Sequence, residues 1–288
     1  MPISHVFLHV RWVVLFTTKI MHDDHQMIQC SSFIRLFTKY GKYIYFQKTY
    51  APHHIFMHEP LVVDAFYKYS SNGKTILDIG ANVGGYSMLS LSLGSRVYAV
   101  EMQPACCKLL HCHANINKYK NLQIMEGFVP HFSQPQSSVL VHPNMCNVMS
   151  SSTATGGRWP HGLLMKSHRN MNWTATVPVR AVNLHESLSN VNNITLTKID
   201  TEGSEIETLL ALDWNKLHAV IIEFQAGSWK YNNISREFGI QVIQRFINFR
   251  SYRIRTLFGK TSVVWSTMKL VEFLKTQRNT FREFIFEV

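Results

Sequence analysis

The sequence predicts an α/β fold, with a mostly parallel central sheet that helices cover on both faces. Short apolar runs suited to buried strands alternate along the chain with stretches whose apolar residues recur at helical spacing. The strands are apolar on both faces, which is typical of a covered parallel sheet. Four of these runs are followed directly by an acidic residue or end in one: Asp78, Glu101, Asp200 and Glu223. Because ligands bind at the carboxyl ends of parallel strands, we expect these acids along one rim of the sheet.

The individual elements follow from local patterns. Pro60 suits the first turn of a helix that extends to Ser70, and the Asn72-Gly73 pair predicts a turn into the next strand. Apolar spacing and apolar runs predict the remaining elements. The predicted strands are 75–79, 95–100, 122–125, 175–179, 194–199, 219–222, 252–256 and 262–265, and the predicted helices are 59–70, a short helix after the glycine turn, 103–117, 183–189, 204–212 and 233–249.

The stretch 75–85 is the most informative part of the chain. A strand that contains Asp78 leads into a turn with Gly80 and Gly84, and a helix follows. Such a turn brings the backbone close to a nucleotide-like cofactor, and the helix N-terminus offers free N–H groups. A dinucleotide fingerprint needs glycine where this chain has Asn82. The acid before the turn suits the amino group and sulfonium of S-adenosyl-L-methionine, so the sequence favours that cofactor over NAD.

The second strand supports a bound nucleoside. Glu101 ends this strand, 17 residues beyond Gly84. An acid at this position is placed to accept hydrogen bonds from both ribose hydroxyls. A solvated glutamate at the end of an ordinary strand is the alternative interpretation for Glu101 taken alone.

Three motifs, at 77–84, 97–101 and 198–205, occur in this order. Together they resemble the FkbM-type methyltransferases, a branch of the class I S-adenosylmethionine-dependent enzymes, and the resemblance covers about residues 55–225. It implies a Rossmann-like class I methyltransferase fold and S-adenosyl-L-methionine as the cofactor. The cofactor-binding residues expected from the motifs and the resemblance are Asp78, Gly80, Asn82, Gly84, Tyr86, Glu101 and Glu126.

The third motif contains the candidate catalytic residues, Asp200 and Glu202, at the end of a buried strand. Methyl transfer needs the donor and the acceptor held in line, and in some cases a base that removes a proton. We expect Asp200 and Glu202 to bind the substrate or to act as the base. Glu205 is explained without chemistry, because an acid stabilises a first helical turn. Three acids this close could also hold a divalent cation, but a metal is not favoured.

The patterns along the chain also predict a domain organisation. Residues 1–58 are predicted to form an N-terminal extension and residues 59–288 the methyltransferase domain. Residues 128–176 lack a long period and are expected to be a variable insert that selects the substrate. This insert contains four histidines that are further candidates for a general base. They are His131, His142, His161 and His168.

The expected acceptor is the hydroxyl of a sugar, a glycan or a small natural product, as the resemblance implies. Residues 229–288 hold eleven Lys or Arg and four acidic residues, which gives +7 of the net charge of +11. This segment prompts nucleic-acid methylation as an alternative, although the chain lacks an Asp/Asn-Pro-Pro-aromatic motif and a Pro-Cys nucleophile. A solvated basic face is the simpler interpretation, so a nucleic-acid partner is not expected. A catalytically idle cofactor-binding scaffold is the other alternative.

Five cysteines, an odd number without metal-ligand spacing, do not predict a disulfide scaffold. Cys106 and Cys107 are expected to be small core or near-surface residues of a helix. The apolar stretch 6–16 is interrupted by His9 and Arg11 and is too short to span a bilayer. A cytoplasmic protein is therefore favoured, with a degenerate signal-anchor as the alternative, and the sequence makes no prediction about the oligomeric state.

Overall fold

A computed structural model describes residues 18–20, 28–30, 33–38, 40–47, 59–130, 138–141, 146, 177–258, 261–277 and 282–288. The strands in this part of the chain are β1 (Thr18–Ile20), β2 (Ile28–Cys30), β3 (Phe33–Phe37), β4 (Tyr43–Gln47), β5 (Thr75–Ile79), β6 (Arg96–Glu101), β7 (Leu122–Glu126), β8 (Ser138–Val141), β9 (Val177–Arg180), β10 (Ile194–Ile199), β11 (Leu217–Phe224), β12 (Arg253–Thr256), β13 (Val264–Trp265) and β14 (Arg282–Glu287). The α-helices are α1 (Pro60–Tyr69), α2 (Gly85–Ser92), α3 (Pro104–Ile116), α4 (Leu184–Ser187), α5 (Glu205–Ala211), α6 (Arg236–Arg250) and α7 (Thr267–Thr276).

An eight-stranded sheet forms the centre, in the order β13-β12-β14-β11-β10-β5-β6-β7. The five strands from β11 to β7 in this order are parallel, and β14, β12 and β13 pair antiparallel. Two large clusters of buried apolar side chains include residues of these strands, and helices contribute to both clusters. The predicted α/β class with a mostly parallel sheet is therefore confirmed.

The elements predicted between residues 59 and 256 are present, with ends that differ by a few residues. The C-terminal helix α7 and strand β14 were not predicted. Strand β14 lies between β11 and β12, and Phe284, Ile285 and Phe286 in its centre are fully buried. Charged residues flank this short apolar core on both sides, at Glu283 and Glu287, so the stretch lacks the long apolar run of the parallel strands. Residues 229–288, which were interpreted from the sequence as a basic surface, thus include a strand inside the central sheet.

Part of the predicted N-terminal extension packs on the domain. Strands β3 and β4 pair as an antiparallel hairpin, and Ile44 and Phe46 are buried in the cluster that also contains residues of α1 and α2. The Tyr45 N–H donates to Asn117 Oδ1 (2.8 Å), and the Gln47 N–H donates to His113 Nε2 (3.0 Å). These bonds attach the hairpin to helix α3.

The predicted insert is described at residues 128–130, 138–141 and 146, where β8 pairs antiparallel with β9. The apolar stretch 6–16 lies outside the described residues. Within the part of the chain that is described, no helix is both long and apolar enough to span a membrane.

The cysteine prediction was wrong. Cys106 and Cys146 form a disulfide, and Cys112 is also disulfide-bonded. Cys106 and Cys107 are buried on α3 as expected, and Cys107 is free of a disulfide. The partners of such bonds are set by tertiary contacts, so the spacing of the cysteines along the chain gave no signal.

Candidate cofactor and acceptor site

The glycine turn between β5 and α2 lies against the end of β10. Gly80 has a φ of 80°, and a Cβ at this position would lie 1.8 Å from the Asp200 carbonyl oxygen. The N–H groups of Gly80 and Ala81 both donate to the Val100 carbonyl oxygen. Only glycine permits this backbone conformation and this close approach at once. The turn therefore brings together the ends of three strands, β5, β6 and β10.

Glu101 lies at the end of β6 with only 5% of its surface exposed. Its Oε2 accepts a hydrogen bond from the Asn82 N–H, and its Oε1 accepts one from the Gln103 N–H, both at 2.7 Å. Burial raises the pKa of Glu101 to about 7, although these backbone donors oppose the change. A hydrogen bond from the Met102 backbone acts in the same direction. These residues fit an adenosine, and the contact itself stays a prediction.

Asp78 and Tyr86 lie deeper than the sequence suggested. Asp78 is 1% exposed and accepts a hydrogen bond from Ser87 Oγ at 2.6 Å. Burial raises its pKa, while the nearby Lys198 ammonium opposes the change. The buried Tyr86 hydroxyl donates to the Glu59 carboxylate, so Tyr86 connects helices α1 and α2. Both residues lie beneath the turn, and direct contact with a cofactor stays a prediction for each.

Glu126 is at the exposed end of the site. It pairs in register with Glu101 across β6 and β7, which places both residues on one rim of the sheet. Its side chain is 57% exposed, and one carboxylate oxygen lies 3.1 Å from His111 Nε2. Glu126 thus has an accessible carboxylate where the adenine was expected. Its role stays a prediction.

The expected acceptor side contains a carboxylate cluster, which we define as Asp200, Glu202 and Glu223. Oxygen atoms of the three side chains lie within 4.8 Å of one another, and all three residues are half-buried. The ammonium of Lys198, only 3% exposed, lies 2.5 Å from Asp200 Oδ2. The amide of Gln225 donates to Glu202. The structure therefore brings the two predicted catalytic residues together, beside a buried cation.

The carboxylate cluster carries fewer than three negative charges at neutral pH. Burial alone would raise the pKa of Asp200, but the Lys198 ammonium holds it below its usual value. Burial and the charge on Asp200 raise the pKa of Glu223 to about 11, so Glu223 retains a proton and donates it in a hydrogen bond to Asp200. Burial and Asp200 together raise the pKa of Glu202 to about 7. Glu202 is thus the member whose charge changes near neutral pH.

The sequence suggested a cation site among the acids of the 200–205 motif. The structure instead groups Asp200 and Glu202 with Glu223 and not with Glu205, and these three carboxylates are a candidate for a cation. Lys198 already provides a positive charge beside Asp200, and the proton on Glu223 reduces the demand for another. A divalent ion would have to compete with both. The expectation that the site works without a metal stays a prediction.

Sequence reasoning missed the role of three residues at the site. Lys198 stands in a strand whose six residues are all buried. A lysine inside a buried strand needs a charged partner, and this was the sequence signal that could have identified it. Glu59 and Gln225 reach Tyr86 and Glu202 from distant parts of the chain, so the sequence held no local signal for them. The four candidate histidines at 131, 142, 161 and 168 lie outside the described residues.

The fold and the site define a class of protein. A glycine turn after the first parallel strand, an acid at the end of the second and an acidic motif after the fourth are the arrangement of a class I S-adenosylmethionine-dependent methyltransferase. The family described as the methyltransferase FkbM domain matches residues 78–254, more than half of the chain, and the chain belongs to this family. The predicted family, methyltransferase activity and cofactor are thereby confirmed. Residues 78–254 include both the glycine turn and the carboxylate cluster.

Several solved structures are similar to the chain at low sequence identity. Precorrin-6y C5,15-methyltransferase from Geobacter metallireducens GS-15 is 10% identical with a TM-score of 0.39, over 78% of this chain and 85% of that one. A putative methyltransferase from Streptococcus mutans in complex with SAH is 10% identical with a TM-score of 0.41, over 79% and 96%. TYW2 from M. jannaschii in complex with AdoMet is 12% identical with a TM-score of 0.37, over 88% and 84%. Curated protein sequences provide no match to the chain. The assignment therefore depends on the family.

Proposed function

We propose that the chain transfers the methyl group of S-adenosyl-L-methionine to a hydroxyl group of a sugar, a glycan or a small natural product, with Glu202 as the general base. The observation that carries this proposal is the position of Glu202. Glu202 stands beside Asp200, at the rim that the glycine turn of residues 80–84 also reaches; we call this turn the cofactor turn. The pKa of Glu202, about 7, suits proton transfer at neutral pH.

The neighbours of Glu202 support its choice as the base. Asp200 is held ionised by Lys198, which lowers its pKa and makes it a weaker proton acceptor. Glu223 retains its own proton at neutral pH, so it is not available to accept one. In its charged form Glu202 accepts the proton of the acceptor hydroxyl. Asp200 remains charged throughout and helps to orient the hydroxyl.

Methyl transfer requires few other groups of the protein. When bound, S-adenosyl-L-methionine would supply a methyl group that its sulfonium activates for transfer. The residues of the chain hold the two reactants in line, remove the proton at Glu202 and keep the rest of the cofactor fixed through Glu101. No covalent nucleophile is needed, which agrees with a site composed of carboxylates and one lysine.

The test is turnover across a panel of sugar and small natural-product hydroxyls with the variant Glu202→Gln. General-base catalysis contributes on the order of 10²- to 10⁴-fold, so kcat should fall by at least about 100-fold. In the wild type, kcat/KM should decrease as the pH falls below about 7, because Glu202 becomes protonated. The control is Glu272→Gln, a surface carboxylate of α7. A Glu202→Gln enzyme with wild-type kcat and pH profile contradicts the assignment of the base.

The alternative of nucleic-acid methylation receives less support from the arrangement of the basic residues. Arg236 Nη1 donates to the carbonyl oxygens of Leu274 and Lys275, and Arg250 Nη1 donates to that of Leu217. These two guanidinium groups contribute to the fold and not only to a basic surface. Salt-sensitive binding of a random oligonucleotide would favour the alternative.

A further inference from the structure

The Cys106–Cys146 disulfide joins two parts of the chain that meet at the cofactor turn. Cys106 lies in the first turn of α3, directly after the β6 strand that ends in Glu101. Cys146 lies 40 residues further along, in the predicted insert. Both are buried and form a small cluster with Val83 of the turn and Leu109 of α3. The bond thus fixes a point of the insert against the turn.

The two sulfur atoms contact Asn82. Cys106 Sγ and Cys146 Sγ lie 3.5 and 3.7 Å from Asn82 Oδ1. The same oxygen accepts a hydrogen bond from the Val83 N–H at 2.8 Å. Asn82 has a left-handed backbone, with a φ of 54°, and donates its own N–H to Glu101 Oε2. The disulfide therefore packs on the residue that orients the carboxylate expected to bind the ribose.

We propose that the Cys106–Cys146 disulfide positions the cofactor turn, and that reducing it weakens the binding of S-adenosyl-L-methionine. This inference rests on the cofactor site of the proposed function. With the bond intact, Cys146 stays against the Asn82 side chain. Without it, no covalent bond closes the loop between these two cysteines, which are 40 positions apart, and the entropic cost of holding their sulfurs together favours separation. Asn82 then loses the packing that holds its backbone and its hydrogen bond to Glu101.

Reduction of this bond is a balanced two-electron step. A dithiol such as dithiothreitol supplies two electrons and two protons, the S–S bond breaks into two thiols, and the reagent closes to its cyclic disulfide. Cys107 is the adjacent thiol that could interfere by exchange. Burial raises its pKa and its Sγ donates to the Glu101 carbonyl oxygen, so little thiolate is present to attack the disulfide.

The location of the protein then decides which form is present. Disulfides persist in oxidising compartments and are kept reduced in the cytosol. A chain in an oxidising compartment would carry the tightly binding form. The same chain in the cytoplasm, which the sequence analysis favoured, would carry the weakly binding form. The redox state of the compartment thereby controls the cofactor site.

The experiment measures the affinity of the full chain for S-adenosylhomocysteine by calorimetry, in the oxidised state and after dithiothreitol, with thiol titration to confirm each state. Reduction should weaken binding at least about fivefold, the lower end of usual coupling between sites. The double variant Cys106→Ser/Cys146→Ser should bind like the reduced wild type and should not respond to the reductant.

In kinetics, reduction should raise KM for the cofactor more than it lowers kcat at saturating cofactor, whereas loss of folded protein would lower kcat alone.

Two controls separate this bond from the other cysteines. Cys107→Ser removes the thiol but no disulfide, and Cys112→Ser removes the second disulfide, so both should retain the response to dithiothreitol. If the double variant does not fold, the oxidised and reduced forms of Cys112→Ser decide the question. Equal affinity in the two forms overturns the inference while leaving the cofactor site intact. Absence of binding in both forms overturns the cofactor site itself.

Discussion

Glu101 connects two parts of the fold and is also the residue proposed to bind the ribose of the cofactor. Its two carboxylate oxygens accept the N–H groups of Asn82 and Gln103, which belong to the turn after β5 and to the start of α3. The side chain thereby joins the turn after β5 to the start of α3. The spacing of Glu101 from Gly84 predicted that this acid lies at the cofactor site. Its hydrogen bonds to these two segments could be found only in the structure.

Replacing Glu101 by alanine should affect both affinity and stability. Two charge-assisted bonds to the ribose contribute roughly 1.5–3 kcal/mol each, without full additivity, so affinity for S-adenosylhomocysteine should fall about 30- to 1,000-fold. Because two partly buried N–H groups lose their acceptor, the free energy of unfolding should also fall, by about 1–3 kcal/mol. Calorimetry and urea denaturation measure the two effects. Glu272→Ala, on the exposed face of α7, is the control and should change neither. Unchanged affinity in a folded Glu101→Ala chain contradicts the role of Glu101.

At the scale of secondary-structure elements, the site forms where the turn after β5 packs against the end of β10. Gly80 of the turn lies directly against the carbonyl group of Asp200. The carboxylate cluster and the cofactor turn are therefore adjacent without any intervening side chain.

Gly80→Ala should disrupt this contact, and Gly73→Ala is its matched control. Both glycines have a positive φ, at 80° and 77°, so each substitution carries a backbone penalty of about 1–2 kcal/mol. A Cβ on Gly73 meets nothing within 4 Å, whereas one on Gly80 would lie 1.8 Å from a backbone oxygen. Gly80→Ala should therefore lower the melting temperature well below that of Gly73→Ala and should impair cofactor binding. Equal melting temperatures for the two variants are the result that contradicts the packing described here.

The elements differ in how well they could be predicted. The parallel strands and their helices have strong local patterns, so their presence and order followed from the sequence. Strand β14 has only Phe284, Ile285 and Phe286 at its centre, and its place between β11 and β12 depends on contacts that are distant in the chain. The same reason applies to the Cys106–Cys146 bond and to the proton shared within the carboxylate cluster. The motifs identified the candidate residues of the site, while the burial and charge state of these residues could be found only in the fold.

The whole molecule is predicted to be less stable at pH 8 than at pH 6. Burial raises the pKa of Glu101 to about 7 and that of Glu205 to about 8. The folded chain binds these protons more tightly than the unfolded chain, so the stability they provide is complete below about pH 4.5 and is lost as the pH rises through 7 to 8. Burial lowers the pKa of His113 to about 4, so its contribution is lost in the opposite direction, as the pH falls from about 6.5 through 4. Burial also raises the pKa values of three further carboxyl groups to about 7, those of Glu202, Glu207 and Glu283, so these groups add to the loss of stability above pH 6.

Melting temperature as a function of pH measures this balance. The decrease between pH 6 and pH 8 should be smaller in Glu205→Gln, because the amide does not titrate. Glu205 accepts hydrogen bonds from the Trp229 indole and the Gly203 N–H, so this variant is expected to fold but to start from a lower melting temperature. A melting temperature that rises from pH 6 to pH 8 in the wild type would show that these carboxyl groups are not protonated in the folded chain.

The central claim is that the molecule is built around a site for S-adenosyl-L-methionine at the glycine turn. Isothermal titration of the oxidised full-length chain with S-adenosylhomocysteine tests it most directly, because the product analogue binds without turnover and needs no knowledge of the acceptor. The account predicts saturable binding of one molecule per chain, together with a rise in melting temperature. No heat and no thermal shift at millimolar ligand would contradict it.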